Sequence, residues 1–550
     1  MHWRSRISLA SKTISASEIF FFGAFVCLTL ASPQSASAQK APETFSKPDF
    51  APAMLEHMQK MRRYKDHDRG VQHTPRMIDR FSVDLDPKGA IASFQPNGAT
   101  VTSNNAFFKD MGTNGRTCFT CHQPQNGWGV SANDVAERFE KSAGTDPIFR
   151  LVDGATCPSD DVSTLRAKKR AYKLLREKGL IRIGLGIPSA GEFAVTAVDD
   201  PYGCNTNPAT GVVSPTVGIL SMYRRPMPTT NIGFLSAIMW DGREPSLENQ
   251  AVDATLGHAQ ASAPPTPDQV AEIVAFQKGI FTAQVFDHKA KFLTGDNAKG
   301  GPIHLSFQMA DFFIGINDPL GGNPKGIPFT SEIFDLYRPW LSAGNRHHEH
   351  GDQQPMAGIE ELFKNVNITD VWRHNDREHG MVSEHRRSVA RGEELFNNTK
   401  INITGVAGLN DDLNVESIPG FCGTCHDSPN VGNHSVKAPL NIGVPDAGDK
   451  KPPVLDIAGL PVFTLTCMQG PLAGRVYKVT DPGRAMISGK CKDIGRFKGP
   501  ILRGLAARAP YFHNGSAATL RDVVDFYEQR FAIGLTHKQK TDLVNFLNTL

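Results

Sequence analysis

The 550-residue sequence predicts a mainly α protein in which two small helical domains are separated by a long loop-rich insertion. Three observations carry that expectation. The pattern Cys-x-x-Cys-His occurs twice, as Cys118, Cys121 and His122 in "NGRTCFTCHQPQNGWG" and as Cys422, Cys425 and His426 in "GFCGTCHDSPN". Segments after position 386 carry apolar residues at helical spacing. Between the motifs, Pro and Gly punctuate a stretch too long for a simple linker.

In chain order, residues 1–38 read as a signal peptide. Arg4, Arg6 and Lys12 precede the apolar run "IFFFGAFVCLTLA", and Ala36, Ser37 and Ala38 form an A-x-A cleavage site. The apolar run is shorter than the roughly 20 residues a membrane span needs, so cleavage before Gln39 is expected over a retained anchor. No second run is long enough to span, and the expected location is the periplasm or beyond. Removing the leader takes away three basic residues and one acidic residue, which leaves the chain nearly neutral. With no basic run or stripe, nucleic acid is not an expected partner.

Of nine cysteines, Cys27 leaves with the leader and four belong to the motifs. Cys157, Cys204, Cys467 and Cys491 remain, an even number for an oxidising compartment. Pairing Cys157 with Cys204 and Cys467 with Cys491 closes one loop inside each region. The other two pairings stay open, as does a zinc site, although these four lack C-x-x-C spacing among themselves.

Residues 39–260 form the first domain. Two cysteines bracketing two residues, followed at once by histidine, can bind a porphyrin by thioethers and supply one axial nitrogen to its iron. Two such motifs in an exported chain predict two covalently bound haems c. Reading onward from His122, no histidine appears before His258 and no methionine before Met222. The first iron is therefore expected to be open, which points to chemistry rather than simple electron transfer.

Residues 261–385 form the insertion, with "SAPPTPDQV", "GGPIHLSF" and "DPLGGNPKG" read as loops joined by a few short helices or strands. Its His347, His348, Glu349 and His350 are adjacent in a polar loop and are expected to be solvated rather than to converge on one metal. Residues 386–550 form the second domain. "SVARGEELFNNT" from Ser388 reads as a helix. Thr519 and Asp522 resemble a capping pair opening another, whose Val524, Tyr527 and Phe531 share the inner face. A last helix follows Thr536, with Leu543, Phe546, Leu547 and Leu550 on one stripe.

The passages "RRPMPTTNIGFLSAIMWDGREPSLENQA" (224 to 251) and "FKGPILRGLAARAPYFHNGSAATLRDVVDFY" (497 to 527), with the helix that leads into each motif, resemble the bacterial dihaem cytochrome c peroxidases and their MauG-type relatives. The resemblance implies two cytochrome c-like haem domains. It matches Trp240 to a tryptophan that helps electrons or holes cross between the haems; plain core is the alternative. It matches Asn231 to a side-chain ligand of a Ca2+ ion, and Arg508 and Pro510 to positions giving that ion backbone carbonyls. His513 matches a histidine close to the second haem's surroundings.

The resemblance also bears on the ligands. Counting along the ungapped stretch, the sixth-ligand position of the second haem falls on Tyr527, a tyrosine as in MauG-type members. Met468 or Met486 is the alternative. A phenolate favours ferric and higher oxidation states. The catalytic glutamate position falls on Gln260, which cannot ionise but can orient peroxide, and His258 is the candidate for moving the proton. The implied function is oxidation of a protein or organic substrate with hydrogen peroxide or O2. The alternatives are a conventional peroxidase drawing electrons from a small redox protein, rubber-oxygenase-like cleavage of a hydrophobic polymer, and a non-catalytic dihaem electron carrier.

Overall fold

The computed structural model describes residues 74–205, 218–308, 330–342 and 376–550. The segment expected to be a signal peptide and the His347–His350 cluster lie outside the described residues. All described residues fall within one compact unit, Phe45–Leu550.

The fold is mixed α and β rather than mainly α, with 32% helix and 18% strand in several sheets. The strands come from segments far apart in the chain. Phe81–Asp86, Gly89–Phe94, Phe281–Asp287 and Lys291–Phe292 form a four-stranded antiparallel sheet in that order. Its first hairpin turns where the Asp86 carboxylate accepts the N–H groups of Lys88 and Gly89. Gly89 has a φ of 156°, and a Cβ there would collide with the Phe286 carbonyl on the next strand. A second sheet pairs Phe193–Asp199 of the first region with Val462–Cys467 of the last, and Val476–Val479 adds to it. Ile181–Gly186 pairs with Ile219–Arg224. Short strands of this kind satisfy each other only after the chain has closed long loops, so no local periodicity announces them.

The helices expected around the second motif are present. Asp376–Asn398 contains the Ser388 segment and packs on His537–Leu547 through Val389, Phe396, Phe546 and Leu547. Leu520–Phe531 opens with a reciprocal Thr519/Asp522 capping box, and His537–Leu547 with a Thr536/Gln539 box. Two disulfides, Cys157–Cys204 and Cys467–Cys491, join the expected partners, with Cα atoms 5.6 and 6.1 Å apart. The four motif cysteines are free.

Described parts of 261–385 are built into the regions of both motifs. Residues 281–287 supply a strand of the first sheet. Tyr337 and Trp340 stack at 4.7 Å inside the core that holds Phe396 and Phe546. Among the described residues no helix is long and apolar enough to cross a membrane.

Candidate functional site

Each motif begins as a turn of 3-10 helix, Cys118–Thr120 and Cys422–Thr424. A threonine third in each turn, Thr120 or Thr424, bonds back to the residue before the first cysteine. In the second motif both cysteines and the histidine line one cavity. In both motifs the histidine Nδ1–H donates to a carbonyl six residues on, His122 to Trp128 at 2.9 Å and His426 to Gly432 at 2.6 Å. That bond fixes the tautomer and leaves Nε2 free to bind iron. Burial lowers the pKa of His122 to about 4 and lowers that of His426 too, so both rings stay neutral, as a metal ligand must be. Free cysteines, neutral histidines and matching geometry fit two covalent haem attachments.

The second motif opens on a cavity of about 270 Å³ lined by His426, Tyr527, Trp240, Asn231, Arg508, Pro510 and His513. The structure thus gathers seven residues that the sequence singles out separately. The rings of His426 and Tyr527 lie edge to face with centroids 6.4 Å apart. Burial pushes the Tyr527 phenol well above its usual range, so a proton leaves it only against a positive partner such as ferric iron. Neither alternative methionine lines the cavity. Met468 is 64% exposed, and Met486 is buried beside Cys467 and Cys491 in a different core.

Trp240 donates its indole N–H to the Arg225 carbonyl at 2.8 Å and faces His513 at 6.2 Å. His513 stacks on Phe497 at 3.8 Å, and burial holds its pKa near 3. Below this group, Arg224 joins Asp241 of the W-D-G-R passage at 2.5 Å to Asp481 at 2.6 Å, all three buried. The ion pair ties the Trp240 turn to the second domain.

The residues expected to hold calcium have partners within the protein here. The Asn231 carboxamide oxygen accepts the Thr282 N–H at 2.9 Å, and its nitrogen donates to the Thr282 carbonyl at 2.8 Å. The Arg508 carbonyl accepts from the Arg225 guanidinium at 2.8 Å, which also donates to the carbonyls of Val130 and Lys178. A fixed organic cation already sits among the carbonyls. Among the described residues no cluster of three or more His, Cys, Asp or Glu can hold a metal.

At the first motif, His258 ends the Leu247–Gly257 helix. Its Nδ1–H donates to Asp153 at 2.5 Å, and Asp153 also receives Arg116 at 2.5 Å. Arg116 and its bonded neighbour hold the Asp153 carboxyl below its usual range despite burial. The His258 carbonyl accepts from Asn114, whose amide also reaches the Gln260 side chain at 3.2 Å. Gln260 is exposed, with a left-handed backbone (φ 55°). Gly112 permits this docking, since a Cβ there would strike the Ala259 carbonyl.

Sequence reasoning missed several residues. Asp153 has no motif around it. Met111 lies ahead of the motif, where a search downstream of His122 does not look, and packs in the cluster that holds Cys118. Lys498, Arg503 and His434 also line the second cavity, and of these only Lys498 and Arg503 fall in a family-like stretch.

A family model described as RoxA-like, cytochrome c-like, matches residues 496–533. The cytochrome-c peroxidase IdrP2 of Denitromonas iodatirespirans is 34% identical over 139 residues, which is 24% of this chain and 36% of that protein. IdrP1 of the same organism is 30% identical over 146 residues, again 24% and 36%. The chain therefore matches about a third of the length of these relatives. A solved MauG-like protein associated with microbial copper homeostasis superposes with a TM-score of 0.32 at 16% identity, over 81% of this chain and 86% of that one. Over these stretches the chain is similar to cytochrome-c peroxidases and to RoxA-like, cytochrome c-like domains.

Proposed function

We propose that the protein is an exported dihaem c-type oxidoreductase that uses hydrogen peroxide or O2 at the first haem to oxidise a protein or organic substrate. The observation that carries this reading is the unlike surroundings of two alike histidines. His426 and the Tyr527 phenol line one cavity, their rings edge to face. His122 has Phe107 as a ring neighbour at 6.1 Å. Bound haem supplies an iron that accepts oxidising equivalents; the chain decides where they go.

His122, with Nδ1 on the Trp128 carbonyl, would hold the first haem's iron through Nε2. Gln260 orients the oxidant by hydrogen bonding. His258, with Nδ1 committed to Asp153, has Nε2 free to take a proton from one peroxide oxygen and return it to the other. His426 and Tyr527 would hold the second haem's iron, and a Tyr527 phenolate would favour its oxidised forms. Trp240, bonded to the Arg225 carbonyl while Arg225 reaches Val130 beside Cys121, lies on a continuous path between the two attachment regions. A second reading, a peroxidase drawing electrons from a small redox protein, is favoured by the names of the curated relatives.

Stopped-flow mixing of the diferric protein with hydrogen peroxide tests the proposal. The Soret band is expected to change without prior reduction, and His258→Gln to slow that change by roughly 100-fold, the scale of lost proton transfer. A diferric protein that stays silent until one haem is reduced would overturn the open first haem.

A further inference from the structure

The cavity beside His426 has walls that are mostly apolar, with Phe396, Ile401, Leu440 and Val524 among them. Its charged lining is one-sided. Arg225, Lys498, Arg503 and Arg508 face it, and among the described residues that line it there is no aspartate or glutamate. Lys498 and Arg503 are 6% and 2% exposed. Burying cations without bonded carboxylates costs several kcal/mol each; Asp335 and Glu393 act on Arg503 from outside the cavity without bonding it, and Lys498 has no such carboxylate near it.

The four cations differ in how they are held. The Arg225 guanidinium donates to the carbonyls of Val130, Lys178 and Arg508. Arg508 donates to those of Ile501, Arg503 and Gly504. Arg503 is bound only through Nε, to the Asn430 carbonyl at 2.8 Å, and both of its terminal nitrogens are buried without a partner. Lys498 reaches one acceptor, the Gly499 carbonyl at 3.2 Å. Burial lowers its pKa to about 7, the mark of an ammonium lacking a counter-charge. A planar fork with two free N–H edges suits a carboxylate.

We propose that Arg503 and Lys498 anchor the propionate carboxylates of the second haem, with Arg508 and Arg225 adding to the same positive field. A haem is an apolar disc with two carboxylates, and this cavity is apolar with four cations. The inference rests on reading Cys422, Cys425 and His426 as a haem attachment. Thioethers hold the porphyrin independently of the propionates, so the anchor sets orientation and potential rather than retention. Cations close to the propionates stabilise the ferrous state, and Lys498 also lies 5.8 Å from the Trp240 ring, where its charge opposes a positive hole.

The test uses purified holoprotein as wild type, Arg503→Leu, Arg503→Lys and Lys498→Met. Pyridine haemochrome comes first: fewer than two haems c per wild-type chain would sink the attachment reading itself. With both haems present, spectroelectrochemistry and resonance Raman follow. The expected result is unchanged haem content, a lower midpoint potential for the second haem in Arg503→Leu and Lys498→Met, altered propionate bands, and partial recovery in Arg503→Lys. If Arg503→Leu does not accumulate, Lys498→Met and Arg503→Lys carry the comparison. Wild-type potential and propionate bands in every variant that folds would overturn the proposal.

Discussion

His122 and His426 each spend Nδ1–H on a carbonyl six residues on, a bond that sequence spacing does not reveal although it leaves Nε2 as the available nitrogen. Glu393 shows the same dependence on burial. Its carboxylate accepts the N–H groups of Leu336 and Tyr337 at 2.5 and 2.9 Å, yet burial still raises its pKa from 4.5 to about 7. Between those values the folded state holds a proton that the unfolded chain releases, so stability falls as pH rises through that window. The loss is on the order of 3 kcal/mol. Urea denaturation across that range should show this slope in the wild type and a flatter one in Glu393→Gln; equal slopes would remove Glu393 as the cause. Lys498 and Arg503 were unreadable because a charged residue in a sequence is assumed to be solvated, and only the folded cavity shows them enclosed.

At the scale of elements, local chemistry was legible and long-range pairing was not. Thr519 and Thr536 announce their helices because a cap and its partner lie three residues apart. The Leu520–Phe531 helix carries Tyr527, so its start fixes where the phenol points. Thr519→Ala is expected to cost about 1 kcal/mol of stability, measured by chemical denaturation, and to broaden the second haem's spectral features; an unchanged stability would show that tertiary packing alone holds that helix. The strands 193–199 and 462–467 find each other across the chain, which is why a reading built on periodicity near the motifs expected a mainly α fold. The same closure puts Asp481 against Arg224 and brings Trp240 to the second cavity.

Across the molecule, the two attachment regions are tied by shared sheets, by the Arg224 ion pairs and by the Arg225 guanidinium set among three carbonyls. Because that cation occupies the Arg508 carbonyl, one of those expected to bind calcium, chelation by EDTA should leave the melting temperature unchanged, as read by differential scanning calorimetry. A fall that added Ca2+ reverses would contradict this. The family stretches made Trp240, Tyr527 and His513 legible, and the structure lines one cavity with all three; the Asp153 partner of His258 needed the fold. The central claim is that two alike attachments serve unlike irons. Electron paramagnetic resonance of the resting ferric protein, beside Tyr527→Met, tests it most directly. The account predicts one high-spin and one low-spin haem, with only the low-spin signal changed by the substitution. Two low-spin haems indifferent to Tyr527 would contradict it.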